Sequence, residues 1–509
     1  MGSTAIVLMI ITIISKITGL LREQFTSFYL GTGSLADIYA TSTTIPFTIF
    51  GFIVAGVGTS FIPIYNKIKK DRGTKSADNY TANLVNILVL VSFVIIAIMI
   101  IFAPWIVKLF AVGYKGDKFD LTVQFTRIIS FGTLASLVSS VYIGYLNLKG
   151  SFVIPATTGI IMNIVCILSF VVAYKFNNFF IIAYGFLVAD LLKYVLFPKS
   201  LRKEHYKHHM IVDFRDDNIM LMIKMSLPII LSIAAIDLST IVDQSLATVV
   251  SKGAHGAVSS LRYAVLVLTL ISGVIVVSIS TAIYPKLSSL AVDNKMPQLK
   301  KTLMESIATS QLLVFPAMVG AMALVKPIVS IIFERGVFDS QSTQMTSMVL
   351  FYYFLSLLGQ SVRDLMVKAF YSLRNIKTPV AITVLEQIIN IVISVILASV
   401  MGVPGLALGT SIATILGGLM IAFKFRQKYG KIGLKSFISS TVKTLIASII
   451  MGVATHFTYQ ALSKFGLAPS FIITVIVSII VYAILVILFR IPEVKTLINQ
   501  IYRKTKKKK

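Results

Sequence analysis

Lys16, Arg22, Glu23 and Asp37 stand in the stretch "SKITGLLREQFTSFYLGTGSLADIY" (residues 15–39), between the apolar runs "AIVLMIITII" and "TTIPFTIFGFIVAG". A charged side chain at mid-bilayer costs at least about 2.5–3.5 kcal/mol, so it usually faces an internal cavity or a partner. Gly19, Gly31 and Gly33 accompany these charges, and irregular backbone at membrane depth is tolerated where it lines a cavity. A Gly-broken first helix beside a cavity is therefore expected. The same test selects "PIILSIAAIDLSTIVDQSLATVV" (228–250), which holds Asp237, Asp243 and Gln244. Asp237 and Asp243 lie six positions apart, about 240° around a helix, so only one of them looks into any given site. It also selects "SVRDLMVKAFYSLRN", with Arg363, Asp364 and Lys368. For Arg363 and Lys368, snorkelling to the nearer interface is as good a reading as an interior position.

The elements that position these groups follow from composition. The chain is 56% hydrophobic and 13% charged, with a mean hydropathy of +0.88, far from a soluble globular mixture. Apolar runs long enough for a hydrocarbon core of about 30 Å recur throughout. We count fourteen spans, at roughly 4–30, 35–65, 81–111, 121–148, 152–174, 179–198, 218–250, 258–285, 301–330, 341–372, 379–401, 404–424, 436–460 and 468–489. The first run has no small-residue cleavage pattern and reads as a retained span. Cys166 is the single cysteine, so no internal disulfide forms.

The net charge of +27 is distributed by topology rather than gathered for nucleic acid. Loops such as "NKIKKDRGTK" (66–75), "KSLRKEHYKHHM" (199–210) and "KFRQKYGKIGLK" (424–435), and the tail "RKTKKKK", carry most of the Lys and Arg. They alternate with "GTGSLAD", "GYKGDKFD", "SKGAHGA" and "ERGVFDS". The positive-inside rule then places the basic set and both termini in the cytoplasm. Attraction of the basic loops to anionic lipid headgroups is the simplest further role for them. The cluster "EHYKHHM" (204–210) reads as a solvated basic loop rather than a metal site. No GxxxxGK[ST] loop occurs, which excludes a P-loop pump. No acid pair or His-rich face suggests an enzyme, and no cofactor is expected.

The order of motifs now carries a resemblance. "SKITGLLRE" followed by "ADIYATSTTIPFTIFGFIVAGVGTSFIPIY" resembles the opening of the MurJ (MviN) family of lipid II flippases. "FPAMVGAMALVKPIVSIIFERGVFDS" (315–340) matches that family's span ending in Phe-x-Arg-Gly-x-Phe, and "KAFYSLRNIKTP" (368–379) its Lys-Thr-Pro hinge, with Asn375 in place of the usual acid. "YAVLVLTLISGVIVVSISTAIYPKLS" (263–288) and "GVPGLALGTSIATI" (402–415) match its eighth and twelfth spans. The resemblance holds from about residue 4 to 430. It implies the fold of the multidrug/oligosaccharidyl-lipid/polysaccharide exporters: an all-α polytopic protein with two pseudo-symmetric six-helix lobes (1–217 and 218–430) and two further C-terminal spans within 431–509.

The implied activity is alternating-access transfer of an undecaprenyl-pyrophosphate-linked disaccharide-peptide across a bacterial cytoplasmic membrane, for peptidoglycan synthesis, with wall-synthesis enzymes as candidate partners. The resemblance assigns Lys16, Arg22, Asp37 and Arg262 to a substrate cavity, Glu23, Asp237 and Asp243 to gating or coupling, and a groove beside spans 13 and 14 to the lipid tail. Arg and Lys are natural binders of phosphate oxygens. A sodium site of the family maps onto Asp243, Asn390, Ser394, the Leu406 carbonyl and Thr410, an oxygen set of the kind hard cations take. Two departures stand out. The second span is uncharged over "FTIFGFIVAGVG" (47–58), and Val265, Leu266 and Thr269 occupy charged positions of the eighth. They bring in a rival cargo, another lipid-linked oligosaccharide such as a capsule or wall-polymer unit. A small-molecule antiporter and a non-transporting scaffold are the remaining classes.

Overall fold

The computed structural model describes residues 2–431 and 434–493, and among them every regular element is helical. The expected basic tail lies outside the described residues. The chain divides by contacts into two units, Met1–Ser259 with Arg335–Asp339, and Ser260–Glu334 with Ser340–Lys509. The first unit contains α1 (Gly2–Leu30), α2 (Ser34–Ile101), α3 (Ala103–Phe110), α4 (Gly116–Ser130), α5 (Gly132–Leu148), α6 (Val153–Lys175), α7 (Phe180–Val195), α8 (Phe197–Lys203) and α9 (Asp217–Val250). The boundary falls in α10 (Ala257–Ser272). The second unit continues with α11 (Ser278–Val292), α12 (Met296–Ala323), α13 (Val325–Phe333), α14 (Ser340–Phe354), α15 (Ser356–Ser372), α16 (Lys377–Met401), α17 (Val403–Tyr429), α18 (Leu434–Leu462) and α19 (Leu467–Leu488). This partition differs from the lobes drawn at 217 and 430. Helix α9 packs on α2, where Ser226 Oγ reaches the Gly56 carbonyl at 3.1 Å and Ser60 Oγ at 2.9 Å.

Among the described residues, eleven helices or helix runs are long and apolar enough to cross a membrane, twelve if α14 and α15, bent by 43°, make one crossing. The 68 residues of α2 hold two of the spans counted in the sequence. The chain doubles back at Gly73 (φ 82°). Phe61 and Tyr80 stack with ring centroids 6.0 Å apart, whereas unbroken helix would separate them by about 28 Å. Pro46 and Pro228 sit inside helices that continue through them, and Pro379 lies in the first turn of α16, where a proline costs no hydrogen bond.

Past this turn, two asparagines of α2 pin the loop that follows α8. Asn83 exchanges hydrogen bonds with the backbone of Asp213, at 2.9 and 2.7 Å. Asn86 donates to the carbonyls of His209 and Ile211. With its amide hydrogens so engaged, Asn86 Oδ1 accepts from His208 Nε2 at 2.9 Å, leaving Nδ1 to accept from the Tyr206 hydroxyl at 3.3 Å. Partial burial, aided by the charge of His209, pushes the His208 pKa below its ordinary value and favours the neutral ring.

The first helix corrects one expectation. α1 runs unbroken through Gly19, and the chain turns only at Gly31, after all the charges of that helix. Gly31 (φ 56°) and Gly336 (φ 61°) serve a different purpose. Val337 N donates to Phe28 O at 2.9 Å, clamping Arg335–Asp339 onto the end of α1. A Cβ on Gly336 would come within 2.4 Å of Phe28 O, and one on Gly31 within 2.8 Å of Val337 O. The glycine of Phe-x-Arg-Gly-x-Phe is thus fixed by backbone proximity. Gly336→Ala adds a left-handed conformation costing about 1–2 kcal/mol to that collision. We expect it to lower the apparent melting temperature in detergent and open 335–339 to hydrogen exchange, while Val337→Ala leaves both near wild type.

Candidate functional site

In the first unit the charges are set by helix α1 and its neighbours. Arg22 and Glu23 pair through Nη2–Oε1 at 2.6 Å and Nε–Oε1 at 3.2 Å. Glu23 is buried and the guanidinium is one-fifth exposed. Arg22 lies about 12 Å along the axis from Leu30, well inside a half-bilayer of about 15 Å. Lys16, six positions earlier, points elsewhere and is exposed. Helix α6 holds α1 through Asn163, which donates to Thr18 Oγ1 at 3.2 Å and to Ser15 O at 3.4 Å. On α7, Asp190 pairs with Lys193 one turn on and accepts from Ser136 at 3.5 Å. Helices α1 and α7 both pack on α6, so these four charges lie on helices joined through α6.

Asp37 is placed differently. It is fully buried, and Lys118 of α4 donates to its Oδ2 at 2.9 Å. The same carboxylate accepts from Gly256 N and Ser259 N, each at 2.9 Å, capping the start of α10, where a negative charge complements the helix dipole. Lys118 Nζ also sits 4.2 Å from the centre of the Tyr114 ring. Asp237 is half-buried on α9 and has no ion-pair partner among the described residues; Asp243 is half-buried on the same helix.

In the second unit Arg262 is half-buried on α10. Arg363 does not snorkel: its Nη1 donates to Glu386 Oε1 at 2.7 Å, and Nε lies 3.5 Å from Asp364. Lys368 Nζ stands 5.4 Å from the Tyr284 ring centre. Glu386 opens a ladder at every fourth position of α16, followed by Asn390 and Ser394, which faces the small residues of α17. A Cβ on Gly417 would meet Glu386 Oε2 at 2.3 Å, and one on Gly409 would meet Ser394 Oγ at 2.8 Å. Ser394 Oγ donates to Asn390 Oδ1 at 3.1 Å, and Thr410 Oγ1 to Leu406 O at 3.1 Å. Of the set expected to hold sodium, Asn390 and Ser394 bond to each other along α16, and Thr410 and Leu406 bond to each other along α17. They suit a hard cation in kind, yet they are neutral and already serve one another. Among the described residues no group of three or more His, Cys, Asp or Glu could hold a metal ion.

Sequence reasoning missed Lys118, Asp190, Lys193 and Glu386. The last three lie within the proposed spans, so the rule that selected Arg22 could have found them. Lys118 sits in a polar loop, where nothing marks it. The second unit also contains an apolar groove of about 820 Å³ walled by α12, α13, α14, α15 and α18, with Met318, Phe351 and Phe457 among its lining.

The burial of Asp37 and Lys118 generates a test. Removing one partner of a buried pair costs about 3–5 kcal/mol, because the other is left charged and desolvated. We expect Lys118→Met and Asp37→Asn each to lower thermal stability sharply. The double variant should be less destabilised than the sum of the two, read by thermal unfolding of all four forms.

The family model described as "Lipid II flippase MurJ" matches residues 26–489. The chain is 30% identical over 471 residues to a probable lipid II flippase MurJ of Rickettsia prowazekii, covering 89% of this chain and 90% of the relative. It is 24% identical over 493 residues to the Thermotoga maritima protein of the same description, covering 96% and 97%. A solved structure titled "Lipid II flippase MurJ, inward closed conformation" shares 25% identity at a TM-score of 0.81, covering 95% of this chain and 99% of that one. An inward-facing multidrug transporter of the MATE family and MOP superfamily superposes at a TM-score of 0.70 with 14% identity, covering 85% and 99%, a likeness of fold. A family model matched over residues 26–489 and a relative 30% identical along almost the whole chain lead to one conclusion: the chain belongs to the lipid II flippase MurJ family.

Proposed function

We infer that this protein translocates lipid II, or a closely related undecaprenyl-linked saccharide, from the inner to the outer leaflet. Arg22 is the observation that carries the reading. A guanidinium is fixed by a buried glutamate and still partly exposed, on the helix whose motif resembles the family's opening. Planar, permanently charged and fork-shaped, it suits a pyrophosphate. Lys16 and Arg262 are the further cations we assign to the headgroup, while the apolar groove beside α18 offers the isoprenoid tail a surface like the hydrocarbon it leaves. Alternating access follows from the need to carry a charged headgroup past a barrier that the tail never has to leave. The alternation of basic loops supports a cytoplasmic-membrane location with both termini inside. The uncharged stretch 47–58 and the Val265, Leu266 and Thr269 positions keep a different lipid-linked saccharide as the second reading.

Depleting a host of its own lipid II flippase and supplying this chain tests the assignment. We expect the wild type to sustain growth and Arg22→Ala to fail while still inserted at normal levels. Rescue by neither would transfer the assignment to another undecaprenyl-linked saccharide, and rescue by both would remove Arg22 from the substrate site.

Sodium coupling is a separate proposal. If it operates, the seam oxygens of Asn390, Ser394 and Thr410 take part in holding the ion. Thermal stability should then rise with sodium but not with choline chloride at equal ionic strength, and Asn390→Ala should abolish the difference. Equal curves in the two salts would overturn it.

A further inference from the structure

We propose that the first unit carries a second lipid site: a cavity on the side of the basic loops that takes one acyl chain of an anionic phospholipid, with its phosphate against Arg202. The cavity has a volume of about 600 Å³, within the roughly 300–1,000 Å³ of ligand pockets. Its wall is apolar, built by Val85 and Val89 of α2, Leu134 and Val138 of α5 and Leu191 of α7. None of the residues assigned to the translocated cargo lines it. Tyr142 and Tyr206 line it from the buried side, and its exposed rim is polar, formed by Tyr194, Arg202 and His208.

Three observations select a lipid over a soluble ligand. The wall continues outward into exposed apolar side chains, Leu191 and Val195 on α7. The loop beyond the rim carries exposed Met210, Val212 and Phe214, and Asn83 and Asn86 hold that loop in place. Tyr194 stands exposed at the mouth, as tyrosines do at the headgroup level of membranes. Tyr142 packs on Phe197 at 5.9 Å and Tyr145 on Tyr206 at 5.0 Å, so the mouth is preformed.

Charge selects an anionic headgroup. Arg202 lines the cavity, Lys199, Lys203 and Lys207 are exposed on the same segment of chain, and Glu204 is the single acid between residues 199 and 210. Basic clusters beside membrane helices recognise anionic headgroups, and here one adjoins a cavity that can receive the chain. A zwitterionic lipid fills the cavity equally well but gains nothing from the cations. A free glycerol phosphate meets the cations but leaves the cavity empty. The site depends on both parts at once, and it stands whatever saccharide the protein carries.

The test uses full-length protein stripped of lipid in detergent, with native mass spectrometry and thermal unfolding as readouts. The probes are dioleoyl phosphatidylglycerol, dioleoyl phosphatidylcholine and glycerol phosphate. We expect one retained phosphatidylglycerol adduct and a raised melting temperature, at least tenfold weaker binding of phosphatidylcholine, and none of glycerol phosphate. Arg202→Gln with Lys203→Gln alters only exposed positions and should weaken phosphatidylglycerol about tenfold. Leu191→Trp, on the exposed part of the wall, should narrow the entry and weaken both lipids together. Equal binding of the two lipids, glycerol phosphate binding as tightly as phosphatidylglycerol, or wild-type binding by both variants would each overturn the proposal.

Discussion

Hydrocarbon does not solvate charge, and that constraint organises the interior of this protein. The buried acids Glu23, Asp37, Asp190 and Glu386 each have a cation in reach: Arg22, Lys118, Lys193 and Arg363. Two of these pairs are local along one helix, and two join separate helices. The difference has consequences. Arg22–Glu23 and Asp190–Lys193 can form as soon as their helices exist, so they reduce the cost of inserting α1 and α7 without fixing tertiary structure. Asp37–Lys118 and Arg363–Glu386 form only when helices dock, so they select one packing among many that lipid would otherwise allow. Asp37 does most in this respect, because its carboxylate also caps α10 and so ties three segments of chain to one group.

Where no charge is involved, close approach replaces it. Lipid tails are as apolar as leucine, so apolar side chains alone give helices little reason to prefer one another to the bilayer. The α16–α17 seam shows the alternative. Its glycines bring α17 against α16, with Gly405 against the Leu397 carbonyl and Gly409 against Ser394, and Ser394 in turn bonds Asn390 along α16. A seam this tight is short of room, which is why an ion there must compete with contacts the side chains already make.

Much of this was legible before any coordinates. Hydropathy marks the crossings because length and apolarity are local properties, and Arg22, Glu23 and Asp37 stand out because their cost at depth is local too. What could not be read is partnership. Nothing in "GYKGDKFD" says that Lys118 will neutralise a residue 81 positions earlier, and nothing in "SLADIY" says that Asp37 will cap a helix 220 positions later. Gly19 misled for the same reason. A glycine permits a break but does not compel one, and at Gly19 a Cβ would make only an ordinary contact, 3.5 Å from the Asn163 amide. Gly336 is the converse: a motif glycine whose meaning appears only when the backbone of Phe28 is found beside it.

The uncharged second-span stretch and the neutral residues of the eighth span acquire a physical sense from the same constraint. Each extra cation at membrane depth needs a water-filled cavity or a nearby acid, and without either its cost falls on stability. A cavity with few cations needs fewer compensating acids, and the stretch 47–58 lacks both. Binding strength for a phosphate then rests less on net charge than on geometry: a guanidinium held in one orientation by a buried carboxylate loses little freedom when it engages a second anion. Arg22, fixed by Glu23 through two of its nitrogens, meets that description, and exposed Lys16 does not. If Arg22 engages the headgroup as proposed, Glu23 would serve that contact by holding the arginine still rather than by touching phosphate.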